Sequence, residues 1–520
     1  MCYIKPMKKA ALGLSKIILI LSGCSLLVVL SAGILYPPHN LLKFPLIPFL
    51  VLSCAIVFGL LFFLPKRKTA PDQKEPEFLP ILYIILLVAF CGITITVSLL
   101  NPLREDSLRD YQVVLANARN IARSLPLETP LYYQMASNNF KPTLLVSAII
   151  RISDFLHIND AAFISCFSCI ITTVSVLFTS LLIEGCDRWK YRILLLFLFI
   201  FMIPVYVQAG ILYTDTMTFG SAVLSIFLIK KAFHAYSDHH KMRSVILAAL
   251  SGCFAGLGFS LKVTVAIPLF AAVILFIIFL IAHSKEKSLP KGSLFFPLLT
   301  VILSFLCMYF SLEVYAKSFE DYRISKNTEE PVIGYIALGL KGDGSFAENS
   351  DFANIERYLP TKSEKSEYSA NYIRENLNQF YNPAHITRKL NRNFSGGFLG
   401  ADDFVHYPLN DGNILYHLFD AWGRYYWRAS QYCFLYIHLL YSILLSGTIF
   451  GIWQINKTKK IPFGVLLGSL TFLGIFLFLM FWEANNRQLY NQMPILCFGI
   501  ICVIRAIRER SDESSGRQIT

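Results

Sequence analysis

The sequence predicts an all-α polytopic membrane protein with about 12 transmembrane helices, and three observations carry that expectation. Of 520 residues, 55% are hydrophobic and only 16% charged, with a mean hydropathy of +0.53. A soluble protein, whose surface must be wetted, has no use for such a composition. Apolar stretches of about 18 to 25 residues recur along the chain, each long enough to cross roughly 30 Å of hydrocarbon as a helix that satisfies its own backbone. Between alternate stretches lie short segments rich in Lys and Arg, the pattern that sets orientation in a bilayer.

Taken in order, residues 1–78 hold an N-terminal pair of spans, Ile17–Tyr36 and Pro45–Leu64. The first has a basic start, but its apolar run is about 20 residues and no small-residue cleavage pattern follows "GILYPPHN", so it reads as a retained helix rather than a leader. Residues 79–316 form the core, with spans at Leu79–Leu99, Ala161–Ile183, Ile193–Leu212, Met217–Phe233, Val245–Leu261, Val263–Ala282 and Leu294–Tyr315. Residues 432–520 add Tyr432–Trp453, Ile461–Trp482, Leu489–Ile504 and a tail.

Two connections are too long to be simple turns, at 100–160 and 317–431, and both are expected to fold and carry function. In the first, Val113, Val114, Ala118, Ile121 and Ala122 recur at helix spacing, which predicts an amphipathic helix on the membrane surface. Next comes Thr143–Phe155, about 13 residues interrupted by Arg151, which is too short to span and reads as a second interfacial helix. The second connection ends in Trp422, Tyr425, Tyr426 and Trp427, rings that suit an interfacial belt or stacking on sugars.

Placing the N-terminus in the cytoplasm puts "PKRKTAPDQKE", "EGCDRWKYR", "KKAFHAYSDHHKMR", "HSKEKSLPK", "NKTKK" and the C-terminal tail there too, with about 25 Lys and Arg against about 10 Asp and Glu. The formal charge of +13 is therefore a topology signal, and its dispersal over short loops argues against a nucleic-acid partner. The lysine-rich inner loops point to a bacterial cell membrane, with both termini cytoplasmic. Cys2 follows the first Met without a lipobox, and Cys166 and Cys169 form a lone CxxC inside a span, so the thiols are expected to behave as small hydrophobes.

On this topology a set of polar groups gathers at one membrane face. Asp106 and Asp110 open the first outer loop, one helical turn apart and so on one face. Asp215 sits in "ILYTDTMTF", Lys262 in "GLGFSLKVTVAIP", and Glu483 and Arg487 in "FWEANNRQLYNQMP". Ionisable residues at such depth are costly and imply a partner, a cavity or a function. Taken singly, each also fits an interfacial side chain snorkelling to water, and Asp106 or Asp110 fits a charged first helical turn. His385, His406, His417, Arg388, Arg392, Asp402 and Asp403 are further candidates without rank.

The order of these segments, with "NNFKPTLLVSAIIRI", "LYTDTMT", the GxxxG run of "GxxxGLGFSLK" and "NRQLYNQMP", resembles the GT-C superfamily of polyprenyl-phosphate-dependent glycosyltransferases. It is most similar to the branch that holds protein O-mannosyltransferases, the aminoarabinose transferase and cell-wall polysaccharide glycosyltransferases. The resemblance covers roughly residues 79–504. It implies Asp110 as catalytic base with Asp106 as the alternative, and Asp215, Lys262, Glu483 and Arg487 at the donor phosphate. "NNFKP" stands where many relatives carry His-Pro-Pro or Tyr-Pro-Asn-Asn, and no adjacent Asp-Glu pair opens the loop. The implied reaction moves a sugar from a polyprenyl-phosphate donor to a cell-envelope glycan, lipid or protein acceptor outside the membrane. It requires no cofactor, although a diphosphate donor would favour a divalent metal. Two other classes suit a polytopic chain: a secondary transporter, which would carry mid-membrane charges and matching halves, and a polysaccharide polymerase or flippase.

Overall fold

A computed structural model describes residues 9–35, 75–101, 110–185, 187–283, 295–405, 413–458 and 463–514. Among the described residues there is no strand, and ten helices are long and apolar enough to cross a membrane. They are Lys9–Gly33, Phe78–Leu100, Asp160–Leu181, Thr214–Ser237, Lys241–Leu261, Val263–Ala282, Phe295–Lys317, Tyr426–Thr458, Phe463–Phe481 and Asn486–Arg508. Each coincides with an expected span. The expected span Pro45–Leu64 lies outside the described residues.

Ile193–Leu212 departs from expectation, for the continuous apolar run is two helices. Arg188–Ile200 ends where Pro204, which has no N–H to continue a ladder, starts the short helix Pro204–Gln208. Backbone carbonyls freed in an apolar setting need donors. Tyr206 supplies one to Ile200 at 2.8 Å, Tyr432 another to Phe201 at 2.6 Å, and Tyr436 a third to Leu198. The break is therefore stabilised by tyrosines from its own segment and from the start of Tyr426–Thr458.

Elsewhere close approach is made by small residues. A Cβ on Gly252 would lie 2.3 Å from the Val301 carbonyl and one on Gly256 2.6 Å from that of Phe305, so this GxxxG stripe lets Lys241–Leu261 touch the backbone of Phe295–Lys317. The largest core gathers aliphatic and aromatic side chains from Lys9–Gly33, Tyr426–Thr458, Phe463–Phe481 and Asn486–Arg508, with Leu19, Leu26, Phe472 and Ile475 fully buried.

The described part of the first long connection folds as Asp110–Ala122, Pro130–Met135, a 3-10 turn Ser137–Asn139, and Phe140–Phe155. The apolar stripe of Asp110–Ala122 packs on other parts of the protein. Tyr111, Val114, Leu115 and Ala118 pack with Val146, Ile150 and Ile164, so protein covers the stripe. Arg151 donates to the Ile121 carbonyl at 3.2 Å, satisfying the end of that helix, and Arg119 forks onto Asp160 at 2.7 and 3.0 Å, tying it to the next span. The described residues of 317–431 form a layer of short helices, including Glu320–Thr328, Val332–Leu338, Ser350–Tyr358, Lys362–Glu375 and Pro383–Leu390.

Replacing both Tyr432 and Tyr436 by Phe removes the side-chain donors to the Phe201 and Leu198 carbonyls, at about 1 kcal/mol each. The double variant should unfold at lower temperature in detergent than either single one; unchanged midpoints would show that the break does not need these hydroxyls.

Candidate functional site

Three interruptions of helical structure meet at one end of the bundle. Thr214–Thr218 is a short helix that opens the span Thr214–Ser237, with Asp215 in its first turn. Thr216 donates to the Gln208 carbonyl at 2.7 Å and Thr218 to that of Thr214 at 2.6 Å, so the turn holds itself together through its threonines. Lys262 terminates Lys241–Leu261 in an extended conformation, φ −154° and ψ 115°, before the 3-10 turn Val263–Val265. Arg487 lies in the 3-10 helix Asn486–Gln492, whose start is capped by Asn485 accepting from the Arg487 amide at 3.1 Å. The three pieces interlock: Asn491 donates to Thr218 at 2.9 Å, and Gln492 to the Thr264 carbonyl at 3.1 Å.

Their charges meet as well. Asp215 has no exposed surface; one carboxylate oxygen accepts from Lys262, and the other lies 3.2 Å from Arg487 Nε. A carboxylate so placed is tolerated only when paired, and two cations on one anion leave the group with a net positive charge. Arg487 is further held between rings, its guanidinium 5.3 Å from the centre of Tyr213 and 5.6 Å from that of Phe404. Gly400, at φ +81°, permits this: a Cβ there would be 2.5 Å from Arg487 Cβ.

Tyr213 carries the connection outward. Its hydroxyl is 3.4 Å from Asp110 Oδ2 and 3.0 Å from Asn139 Oδ1. Asn139 donates in turn to the Tyr132 hydroxyl. Burial and the neighbouring Asp110 push the Tyr132 phenol far above its usual range, so it stays protonated as a donor. Asp110 itself is exposed and opens the helix Asp110–Ala122.

Asp110, Asp215, Lys262 and Arg487 are thus linked through Tyr213 by direct contacts. Glu483 sits in the strap before Arg487. There the Ala484 amide donates to the Gly344 carbonyl at 2.7 Å and Trp482 stacks on Tyr335 at 5.0 Å, which docks residues 335–344 of the outer layer beside the site. Burial raises the Glu483 carboxyl to about 7; Arg487 pulls it down, while Asp403 and Asp110 add to the rise. Asp106 and His406 lie outside the described residues. His385 faces the Gly342 carbonyl at 3.0 Å, and His417 packs on Tyr416 and Tyr425, so neither joins this group. Cys169 donates to the Ala209 carbonyl at 3.3 Å as an ordinary buried thiol. Among the described residues no three His, Cys, Asp or Glu side chains gather as a metal set.

Sequence reasoning missed Tyr213, Tyr132 and Phe404. Tyr213 stands two residues before Asp215 in a quoted motif, yet nothing local marks a tyrosine that bridges two elements.

Residues 83–503 match the family described as conserved hypothetical integral membrane protein, and the chain belongs to that family. No curated protein matches the chain. Among solved structures, the archaeal oligosaccharyltransferase AglB from Archaeoglobus fulgidus, in complex with an inhibitory peptide and a dolichol-phosphate, is similar to it at 13% identity and a TM-score of 0.45. The match covers 86% of this chain and 53% of that one, so this chain spans about half the neighbour's length.

Two outcomes follow from the charges. Asp215→Asn leaves Lys262 and Arg487 buried without their anion, a loss of about 3–5 kcal/mol; thermal unfolding in detergent should show a large drop, and a drop within error would mean the pair is not buried as described. Glu483, raised from 4.5 to about 7, keeps its proton in the native state where the unfolded chain has released it. Stability should therefore fall as pH rises from about 4.5 to 7, and Glu483→Gln should flatten that slope.

Proposed function

We propose that the chain is an integral membrane glycosyltransferase that moves a sugar from a polyprenyl-phosphate donor to a hydroxyl of a cell-envelope glycan. The observation that carries this reading is the unbroken contact path from an exposed carboxylate, Asp110, to a buried paired cation site, Lys262 and Arg487 on Asp215. In this reading the site faces the extracytoplasmic side, a sidedness supported by the excess of Lys and Arg in the opposite connections.

Glycosyl transfer from a lipid phosphate needs two groups set apart. A base must take the acceptor proton as the new bond forms, and cations must receive the charge that grows on the departing phosphate. Asp110 has the exposure to meet an acceptor, with the Tyr213 hydroxyl beside it. Lys262 offers a compact charge and Arg487 a planar fork, preset by Asp215 before any donor arrives. The acceptor oxygen attacks the anomeric carbon as the bond from that carbon to the phosphate oxygen breaks, and the proton passes to Asp110. The lipid phosphate leaves toward Lys262 and Arg487, with inversion at the sugar. Glu483 borders the same space as a substrate contact. The reaction as proposed draws on the chain's own cations; a diphosphate donor would bring a divalent metal into the site.

The test is Asp110→Asn, assayed by transfer of radiolabelled sugar from a polyprenyl-phosphate donor to membrane glycan, with insertion and protein level shown to be equal. A fall of about 10² to 10⁴ in rate is expected. Full activity in Asp110→Asn would remove it as the base and move the role to Asp106. Loss of transfer from every lipid-phosphate donor in the unaltered protein would overturn the enzymatic reading.

A further inference from the structure

We propose that the end of the bundle remote from Asp215 holds a site for the phosphate headgroup of an anionic phospholipid, an inference independent of the glycosyl-transfer reading. Two of the spans that bring the buried charges together run on to a second cluster. Lys230 and Lys231 follow Asp215, and Arg505 follows Arg487, by 15 to 18 residues, roughly 25 Å at helical rise. That is close to the thickness of the hydrocarbon layer.

There they meet the turn 182–185, which follows the span Asp160–Leu181. Lys230 and Lys231 lie 2.8 and 3.0 Å from the two carboxylate oxygens of Glu184, and Arg505 donates to the Glu184 carbonyl. Arg192 donates to the carbonyls of Ser180 at 3.1 Å and Ile183 at 3.0 Å. Gly185, at φ +95°, makes room, since a Cβ there would lie 2.9 Å from an Arg505 nitrogen. Glu184 balances one of its two lysines, Asp187 balances Lys190 at 2.7 Å, and the carbonyls bonded to Arg192 and Arg505 carry no net charge to cancel theirs. Even with Glu75, which accepts from the Trp189 amide at 3.0 Å, the cluster stays positive.

Two observations favour a lipid over a soluble anion. Trp189, of the ring type that collects at headgroup level, lies 4.7 Å from the Arg192 guanidinium and 5.5 Å from that of Arg188, which is exposed. Phe197 and Phe201, exposed and stacked at 6.1 Å, then continue the Lys190 face, seven and eleven residues on, toward the middle of the membrane. A headgroup on the cations would lay its acyl chain along these rings.

Native mass spectrometry of the full chain in detergent, titrated with phosphatidylglycerol or with phosphatidylcholine, reads the binding directly. Phosphatidylglycerol should bind about tenfold tighter or more, and Arg188→Gln combined with Lys231→Gln should weaken it by about tenfold to thirtyfold. Lys457→Gln, which removes another lysine lying over a tryptophan, Trp453 at 5.4 Å, should change nothing. Should the double variant fail to fold, Arg188→Gln alone decides, with an expected loss of about fivefold. Equal binding of the two lipids, an equal loss in Lys457→Gln, or unaltered affinity in the Arg188 variants would overturn the inference. Inorganic phosphate that displaces phosphatidylglycerol at equal concentration would overturn it in favour of a soluble anion.

Discussion

A carboxylate with no exposed surface, set between membrane-spanning helices, can exist there only because two cations come to it, and much of the architecture at this end of the protein serves that meeting. Asp215, Lys262 and Arg487 each sit at or beside a break in helical structure, and regular helices would carry them past one another. Breaks at this depth are tolerated where other groups satisfy the freed backbone. Gln492 does so for the Thr264 carbonyl while Asn491 bonds to the Thr218 hydroxyl, which is why the three breaks behave as one unit.

Around that buried unit the protein builds an opposite environment for Asp110. Its helix rests on protein, braced by Arg119 on Asp160 and closed by Arg151, with the carboxylate left open. Asp110 and Asp215 are both carboxylates, but the first has water and neutral hydroxyls for company and the second has two positive charges. Residues 335–344 and 482–484 then lock the outer layer beside both, through Trp482 on Tyr335 and Ala484 on Gly344.

Hydropathy made most of the spanning helices legible, because length and apolarity are local properties of a stretch of chain. It failed at Ile193–Leu212, where an apolar run conceals a break whose stabilising hydroxyls, on Tyr432 and Tyr436, lie more than 200 residues away. The helix Asp110–Ala122 was readable as amphipathic. Its partner was not, since an apolar stripe states that it will be covered and is silent on whether lipid or Val146 and Ile150 do the covering.

Asp110, Asp215, Lys262, Glu483 and Arg487 stood out in the sequence because charge at a membrane boundary is rare and locally visible. What joins them did not: Tyr213 and Asn139 are ordinary polar residues until folding sets them 3.0 Å apart. Sequence by itself determined where helices would cross and where charge would collect, because both follow from the free energy of moving a short segment from water to hydrocarbon. Only the tertiary structure decided which of those charges touch and through which hydroxyls. Contacts between residues 47 or 103 positions apart depend on how helices pack, and no local pattern encodes that.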